Sequence, residues 1–233
     1  MKKPVLLYQL GEAPASVAPS QGTYVEWYER AWGGPLEVFD GRDGNQPPAP
    51  KDFAAILLTG SASSLSAPEP WMDVAAELVL SAYREGVPTL GICFGHQLLG
   101  YAFGAKVVRN PLGWEIGTCE VELTEDGRSD KLFEGMGPRL FVNLSHQDVV
   151  DPDTLPSFAR ILGKNPMSGV QFLALGEHVR GVQFHPEFTG AITKGYIEAR
   201  RALLTDKNPD VLLARTRDTP DGVAVLRSFR DRF

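Results

Sequence analysis

The sequence predicts a doubly wound α/β protein with a mostly parallel sheet and added antiparallel strands, and three observations carry that reading. Short apolar runs bounded by Gly, Pro and Asp alternate with amphipathic helical patterns through the first part of the chain. Those runs lack polar/apolar alternation, which suits strands buried on both faces of a parallel sheet. The middle of the chain then crowds strand-like runs together with turn signals such as Asp126-Gly127. Strand alternating with helix implies right-handed βαβ units. The crowded middle reads as antiparallel or mixed, laid against the parallel part.

Taken in order, Val5–Leu10 (VLLYQL), Leu36–Phe39 (LEVF), Ala54–Thr59 (AAILLT) and Thr89–Cys93 (TLGIC) read as the parallel strands. Thr23–Trp32 and Trp71–Glu85 read as helices. In the second, Trp71, Val74, Ala75, Leu78, Val79 and Ala82 recur at three- and four-residue spacing and make one apolar stripe. Another helix runs from about His96 to Phe103. Gly117–Thr124, Leu140–Val150 and Gly169–Leu175 read as strands, and Val179–Phe184 follows across the short turn Gly176-Glu177-His178. Ala191–Leu204 returns to helix. The tail is polar from Thr205. At Thr219-Pro220-Asp221 an N-cap residue precedes Pro at the first helical position, so a closing helix is expected to Phe233. The Pro- and Gly-rich loop Gly41–Pro50 is too short to be a domain boundary. With no internal repeat or low-complexity tract, one domain over 1–233 is expected.

Composition narrows the function classes. Lys plus Arg is 23 and Asp plus Glu is 29, a net charge of −6. That balance argues against nucleic-acid binding, which needs a basic face. The chain has two cysteines, Cys93 and Cys119, too few for a disulfide framework and without C-x-x-C spacing. No run has metal-ligand spacing, and neither G-x-G-x-x-G nor G-x-x-x-x-G-K-[ST] is present. No metal or cofactor is therefore expected. The apolar run near the N-terminus is interrupted at Gly11-Glu12, too short for a signal-peptide core or a membrane span, so the expected compartment is the cytoplasm.

The chemistry concentrates at Gly91-Ile92-Cys93-Phe94-Gly95, between a strand and a helix. Small residues two positions either side of a nucleophile mark a sharp strand-to-helix elbow, where only Gly lets the backbone pass closely. The elbow lifts Cys93 above the sheet edge at a helix N-terminus, which favours thiolate over thiol. A lone cysteine is ordinarily a buried core residue; the flanking glycines set this one apart. A thiolate needs a base, and the base needs an orienting acceptor. Of the four histidines, His185 ends a strand at the sheet edge where ligands bind, and Pro186-Glu187 follows it. Glu187 can turn back to fix the imidazole tautomer. His96, His146 and His178 read as packing or hydrogen-bonding residues, and so does Cys119.

Gly91–Leu99 (GICFGHQLL) with Val182–Phe188 (VQFHPEF), Ala54–Ser64 and Leu144–Val150 (LSHQDVV) resembles the class I glutamine amidotransferases, those with a Cys-His-Glu triad. The likeness is strongest to the glutaminase domain of GMP synthase and its stand-alone relatives, and plant γ-glutamyl peptidases share the skeleton. It implies a flavodoxin-like sheet, a core over about 4–204 and an unmatched extension over 205–233. It also implies Cys93, His185 and Glu187 as catalytic residues, working through a γ-glutamyl thioester. The oxyanion would be held by the N–H of Phe94 and by one from Gly60 or Ser61. Here Gly60-Ser61-Ala62 stands where that family usually has Gly-Gly-Pro. The resemblance assigns substrate contacts to Gln97 and to the segment holding His146, Gln147 and Asp148, with Gln147 where that family often has Gly.

Three functions are consistent with these residues. The first is hydrolysis of glutamine to glutamate and ammonia. The second is the same chemistry on γ-glutamyl peptides or amides, and the third is a silent binding or regulatory homologue. The small-molecule substrate is expected in each hydrolytic case. With no stretch of the 233 residues left over for a synthetase, any ammonia acceptor is expected on a separate chain. The oligomeric state is not legible.

Overall fold

A computed structural model describes residues 3–233; the first two residues of the predicted 1–233 span lie outside the described residues. The strands are β1 (Val5–Gln9), β2 (Glu37–Asp40), β3 (Ala55–Leu58), β4 (Thr89–Ile92), β5 (Val107–Arg109), β6 (Glu115–Leu123), β7 (Arg139–His146), β8 (Asp148–Val150), β9 (Ala159–Lys164), β10 (Phe172–Leu175) and β11 (Val179–Val182). The α-helices are α1 (Ala18–Gln21), α2 (Tyr24–Trp32), α3 (Pro70–Arg84), α4 (Phe94–Ala102), α5 (Glu125–Ser129), α6 (Gly190–Ala199), α7 (Pro209–Arg215) and α8 (Pro220–Arg232).

Nine strands form one sheet in the order β2-β1-β3-β4-β11-β10-β9-β6-β7. Neighbours from β2 to β11 are parallel, and those from β11 to β7 antiparallel. This is the predicted sheet with its added antiparallel strands. Alternate residues of β1 and β3 feed two cores, because side chains on a strand point to opposite faces. Leu7 and Leu57 join Trp27, Tyr28, Ile197 and Phe229 on one face. Leu6, Ile56 and Leu58 join Met72, Val79 and Leu98 on the other. Thr23 starts α2 with a capping box: its hydroxyl accepts from the Glu26 N–H, and the Glu26 carboxylate accepts from the Thr23 N–H at 2.6 Å.

Several expectations need correction. Leu140–Val150 is two strands, not one: the ladder breaks at Gln147, and β8 leaves the main sheet to pair with β5. Ala191–Leu204 stops as α-helix at Ala199 and continues as a single 3-10 turn over Arg201–Leu203. The polar start of the tail contains α7, entered through Asn208, whose side chain caps two N–H groups. Strands β5 and β9 and the short helices α1 and α5 were not expected at all. The tail also closes a core: Val225, Leu226 and Phe229 of α8 are fully buried, and the Arg230 guanidinium donates to Trp32 O at 2.7 Å. Among the described residues, no helix is long and apolar enough to cross a membrane.

Candidate active site

The C-terminal ends of β3, β4 and β11 meet at one edge of the sheet, and the site is built there. Cys93, between β4 and α4, has φ 54° and ψ −103°, and is the only non-glycine residue with positive φ among the described residues. Such strain costs on the order of 1–3 kcal/mol and persists only where neighbours fix it. They do so through the backbone: Cys93 N–H donates to Val182 O (2.9 Å) and Gly95 N–H to Thr59 O (3.1 Å). The predicted glycines are required sterically. A methyl on Gly91 would lie 2.4 Å from Gly95 O, and one on Gly95 would lie 2.5 Å from Leu58 O. Phe94, at the first helical position, has no carbonyl one turn back to bond, so its N–H has no partner within the helix.

His185 follows β11 and is fixed from three sides. Its N–H donates to Asn143 O at 2.9 Å, its ring stacks on Phe188 with centroids 3.9 Å apart, and its Nδ1 lies 2.7 Å from Glu187 Oε1. Pro186 makes the turn that brings the carboxylate back. With Nδ1 engaged, Nε2 is the nitrogen that meets Cys93. Burial by itself lowers the His185 pKa, but the charge and hydrogen bonds of Glu187 and Cys93 outweigh it and carry it to about 10.

Two tyrosines of α2 close this face. The Tyr28 hydroxyl accepts the Gly60 N–H at 3.2 Å, and Tyr24 packs edge-on to Tyr28. Burial, then the neighbouring Glu187 carboxylate, raises the Tyr28 phenol well above its ordinary value, so it stays neutral. Gly60 is tightly placed: a methyl there would come 2.9 Å from His185 Cε1. Gly60, one of the two loop residues expected to face an oxyanion, thus already gives its N–H to Tyr28.

Cys93, Ser61, Gln97, Ser145, His146, Gln147 and Asp148 line one open cavity of about 260 Å³. The predicted contact residues are thus together, but several are committed to each other. Gln97 Nε2 donates to Asp148 O (2.9 Å) and Gln183 Oε1 (3.2 Å), which leaves its carbonyl oxygen for a ligand. The Gln147 side chain accepts from Arg109, and the Asp148 carboxylate accepts from the Ser64 hydroxyl. His146 holds Asp148 O with Nδ1 and Glu115 Oε2 with Nε2, both at 3.0 Å. The Glu115 carboxylate also accepts from Gln171 Nε2 (2.7 Å) and from Asn165. His96 is wholly buried, and burial, with His146 nearby, lowers its pKa to about 3, so it is a neutral core residue as expected.

Residues 42–202 match the model of the glutamine amidotransferase class-I family. The chain belongs to that family. It is 28% identical over 207 residues to a glutamine amidotransferase-like protein of Schizosaccharomyces pombe, covering 84% of this chain and 80% of that one. It is 40% identical over 134 residues to the glutamine-hydrolysing GMP synthase of Aeropyrum pernix, covering 58% of this chain and only 24% of that protein. Gamma-glutamyl peptidase 5 of Arabidopsis thaliana is 29% identical over 194 residues, with 76% and 75% covered. The crystal structure of a glutamine amidotransferase from Thermotoga maritima superposes with a TM-score of 0.76 at 25% identity, covering 100% of this chain and 98% of that one.

Within this amidotransferase fold, three elements of the site escaped the sequence reading. Tyr24 and Tyr28 carried a signal, an i, i+4 aromatic pair on one helix face, that is indistinguishable from core packing without the sheet beneath it. The His146–Glu115 bond depends on strand register, which sets the two residues directly opposite across β6 and β7. Arg200, just past α6, lines the same cavity as Cys93, and nothing in its local sequence marks it.

Proposed function

We propose that this amidotransferase is a cysteine hydrolase of the γ-glutamyl amide bond, with glutamine its smallest substrate. The Cys93 thiolate attacks the side-chain carbonyl carbon, and the oxyanion is held by the N–H groups of Phe94 and Ser61. The C–N bond then breaks as the His185 imidazolium gives its proton to the leaving nitrogen, leaving a γ-glutamyl thioester on Cys93. Water, deprotonated by His185, attacks the thioester; the C–S bond breaks, and glutamate leaves with the second oxygen. Glu187 holds the imidazole tautomer through both steps. Each oxyanion donor contributes about 3–4 kcal/mol to lowering the barrier. Where glutamine is the substrate, the ammonia passes to a separate synthetase chain.

What supports this reading most is the pairing of a strained cysteine elbow with an imidazole whose far nitrogen is 2.7 Å from a buried carboxylate. The test incubates the protein with glutamine and with γ-glutamyl amides and follows glutamate release. Wild type is expected to release glutamate, and Cys93→Ser to lose about 10³-fold or more in kcat. Equal release by Cys93→Ser would remove the nucleophile assignment. Release from no substrate would favour a silent binding homologue.

A further inference from the structure

The site opens into two cavities, not one. Cys93 and Gln97 line the first. His185 lines the second, an open cavity of about 290 Å³ bounded also by Tyr24, Tyr196 and Glu12. The two share a wall that includes Ser61, Ser145, Arg200 and Leu203. In the hydrolysis proposed above, the acyl carbon stays on Cys93 while the leaving nitrogen takes its proton from His185. The γ-glutamyl half therefore occupies the first cavity, and whatever is attached to the nitrogen extends into the second.

The charge of the shared wall says what kind of group belongs there. Arg200 is half-buried, with its guanidinium 4.6 Å from the Tyr196 ring centroid and 5.3 Å from that of Trp114. Aromatic faces hold such a cation in place without neutralising it. No Asp or Glu pairs with Arg200 among the described residues, and none of its side-chain nitrogens makes a hydrogen bond. Glu12, the acidic group on the second cavity, is mostly exposed and turned to Arg42 at 2.7 Å. An arginine stays charged under all ordinary conditions, and its planar fork fits a carboxylate with two parallel hydrogen bonds. A half-buried fork with no counter-ion of its own is therefore set to receive one from a ligand. The first cavity has a second arginine, Arg109; among the described residues lining the second cavity, Arg200 is the one arginine, and the other cationic group, His185, is already paired with Glu187.

We propose that Arg200 binds a carboxylate on the leaving amine, so that the preferred substrates are γ-glutamyl amino acids or peptides, cleaved to glutamate and the free amino compound. The proposal rests on the hydrolase reading and names its substrate class. It is tested with two substrates that differ only in that carboxylate, γ-glutamylglycine and γ-glutamylglycinamide. Wild type should favour the glycine compound in kcat/KM by roughly tenfold or more, the selectivity a charge-assisted bidentate contact gives. In Arg200→Gln that ratio should fall to near one, and Arg200→Lys, which keeps the charge and loses the fork, should fall between. Thermal melts confirm that each variant is folded. If Arg200→Gln lowers both substrates together and leaves the ratio unchanged, Arg200 holds the γ-glutamyl unit itself and the proposal is overturned. It is also overturned if wild type does not distinguish the two compounds. Calorimetric binding of both compounds to Cys93→Ser, with and without Arg200→Gln, reads the same ratio with no turnover. A chain that cleaves nothing yet binds the glycine compound preferentially through Arg200 would sink the hydrolase reading alone.

Discussion

Two buried histidine–glutamate pairs lie in this structure, and they differ in what each imidazole leaves free. In the first, His185 gives one nitrogen to Glu187 at 2.7 Å and keeps the other toward the cysteine. In the second, His146 has no nitrogen to offer: Glu115 takes one and the backbone oxygen of Asp148 takes the other, both at 3.0 Å. Both imidazoles lie within the protein, and both carboxylates are almost fully buried. What differs is the count of open valences. A general base needs a nitrogen that can gain and lose a proton during the reaction. A ring bonded at both ends is a strut, and here the strut spans from β6 to the start of β8, beside the cavity that Cys93 lines.

The comparison breaks most visibly by removing each imidazole. His185→Ala should lose about 10³-fold or more in kcat, because both the thiolate and the proton for the leaving amine depend on it. His146→Ala should raise KM through a loosened junction of β7 and β8 at Gln147, while the pH profile of kcat keeps its wild-type shape. Steady-state kinetics across pH 5–10, a range of about five units around neutrality, checks both. A His146 variant that shifts the profile would mean that the strut titrates during turnover, and the distinction would fail.

Glu187→Gln sharpens the same point through stability as well as rate. Its kcat should fall by roughly 10²- to 10⁴-fold, since the amide can hold the wrong tautomer of His185. The His185 pKa sits at about 10, above the ordinary 6.5. A raised folded-state pKa stabilises the protein fully below the unfolded value and loses that stabilisation as pH climbs through the folded one. The melting-temperature gap between wild type and Glu187→Gln should therefore be widest below pH 6.5 and narrow as pH rises toward 10. A gap that is constant with pH would show that the pair does not couple to protonation.

The first pair was legible in the sequence and the second was not, for one physical reason. His185 and Glu187 lie two residues apart across a proline, so local geometry alone brings them together. The Cys93 elbow is equally local, because the backbone crowding that demands Gly91 and Gly95 comes from the turn and from β3 beside it. Glu115 and His146 are brought together by the antiparallel register of β6 and β7, and shifting that register by one residue would turn His146 to the other face. The split of the expected Leu140–Val150 strand has the same origin. The ladder ends where the His146 ring reaches forward to Asp148 O, and β8 departs to pair with β5. The parallel half of the sheet was readable because its strands are continuous apolar runs. The antiparallel half was read only in part, since pairing there depends on turns and on contacts distant in sequence.

Glu115→Leu tests the strut from its other end. The substitution strands His146 Nε2, Gln171 Nε2 and the Asn165 amide, which all bond this carboxylate now. Leaving buried donors unpaired costs about 1–3 kcal/mol each, so a strong loss of stability in a urea melt is expected. The residual enzyme, measured below its melting temperature, should show a raised KM and the wild-type kcat profile. A loss of kcat with unchanged KM would move Glu115 into the chemistry and merge the two pairs.

The smallest expected effect lies where the strut meets the junction from the opposite side. Ser64 donates its hydroxyl to the Asp148 carboxylate, across from the His146 bond to the Asp148 backbone, so residue 148 is held from two directions. A charge-assisted hydrogen bond contributes about 1.5–3 kcal/mol when buried, and less when its donor is partly exposed, as Ser64 is. Ser64→Ala should thus cost about 1 kcal/mol in stability and raise KM severalfold. Combined with Glu115→Leu, the loss in stability should be less than the sum of the two single losses, because both act on the same junction and the second change removes support the first has already loosened. Strict additivity in that double-mutant cycle would show that the serine and the strut brace the cavity independently. The junction would then need a different account from the one that sets His146 apart from His185.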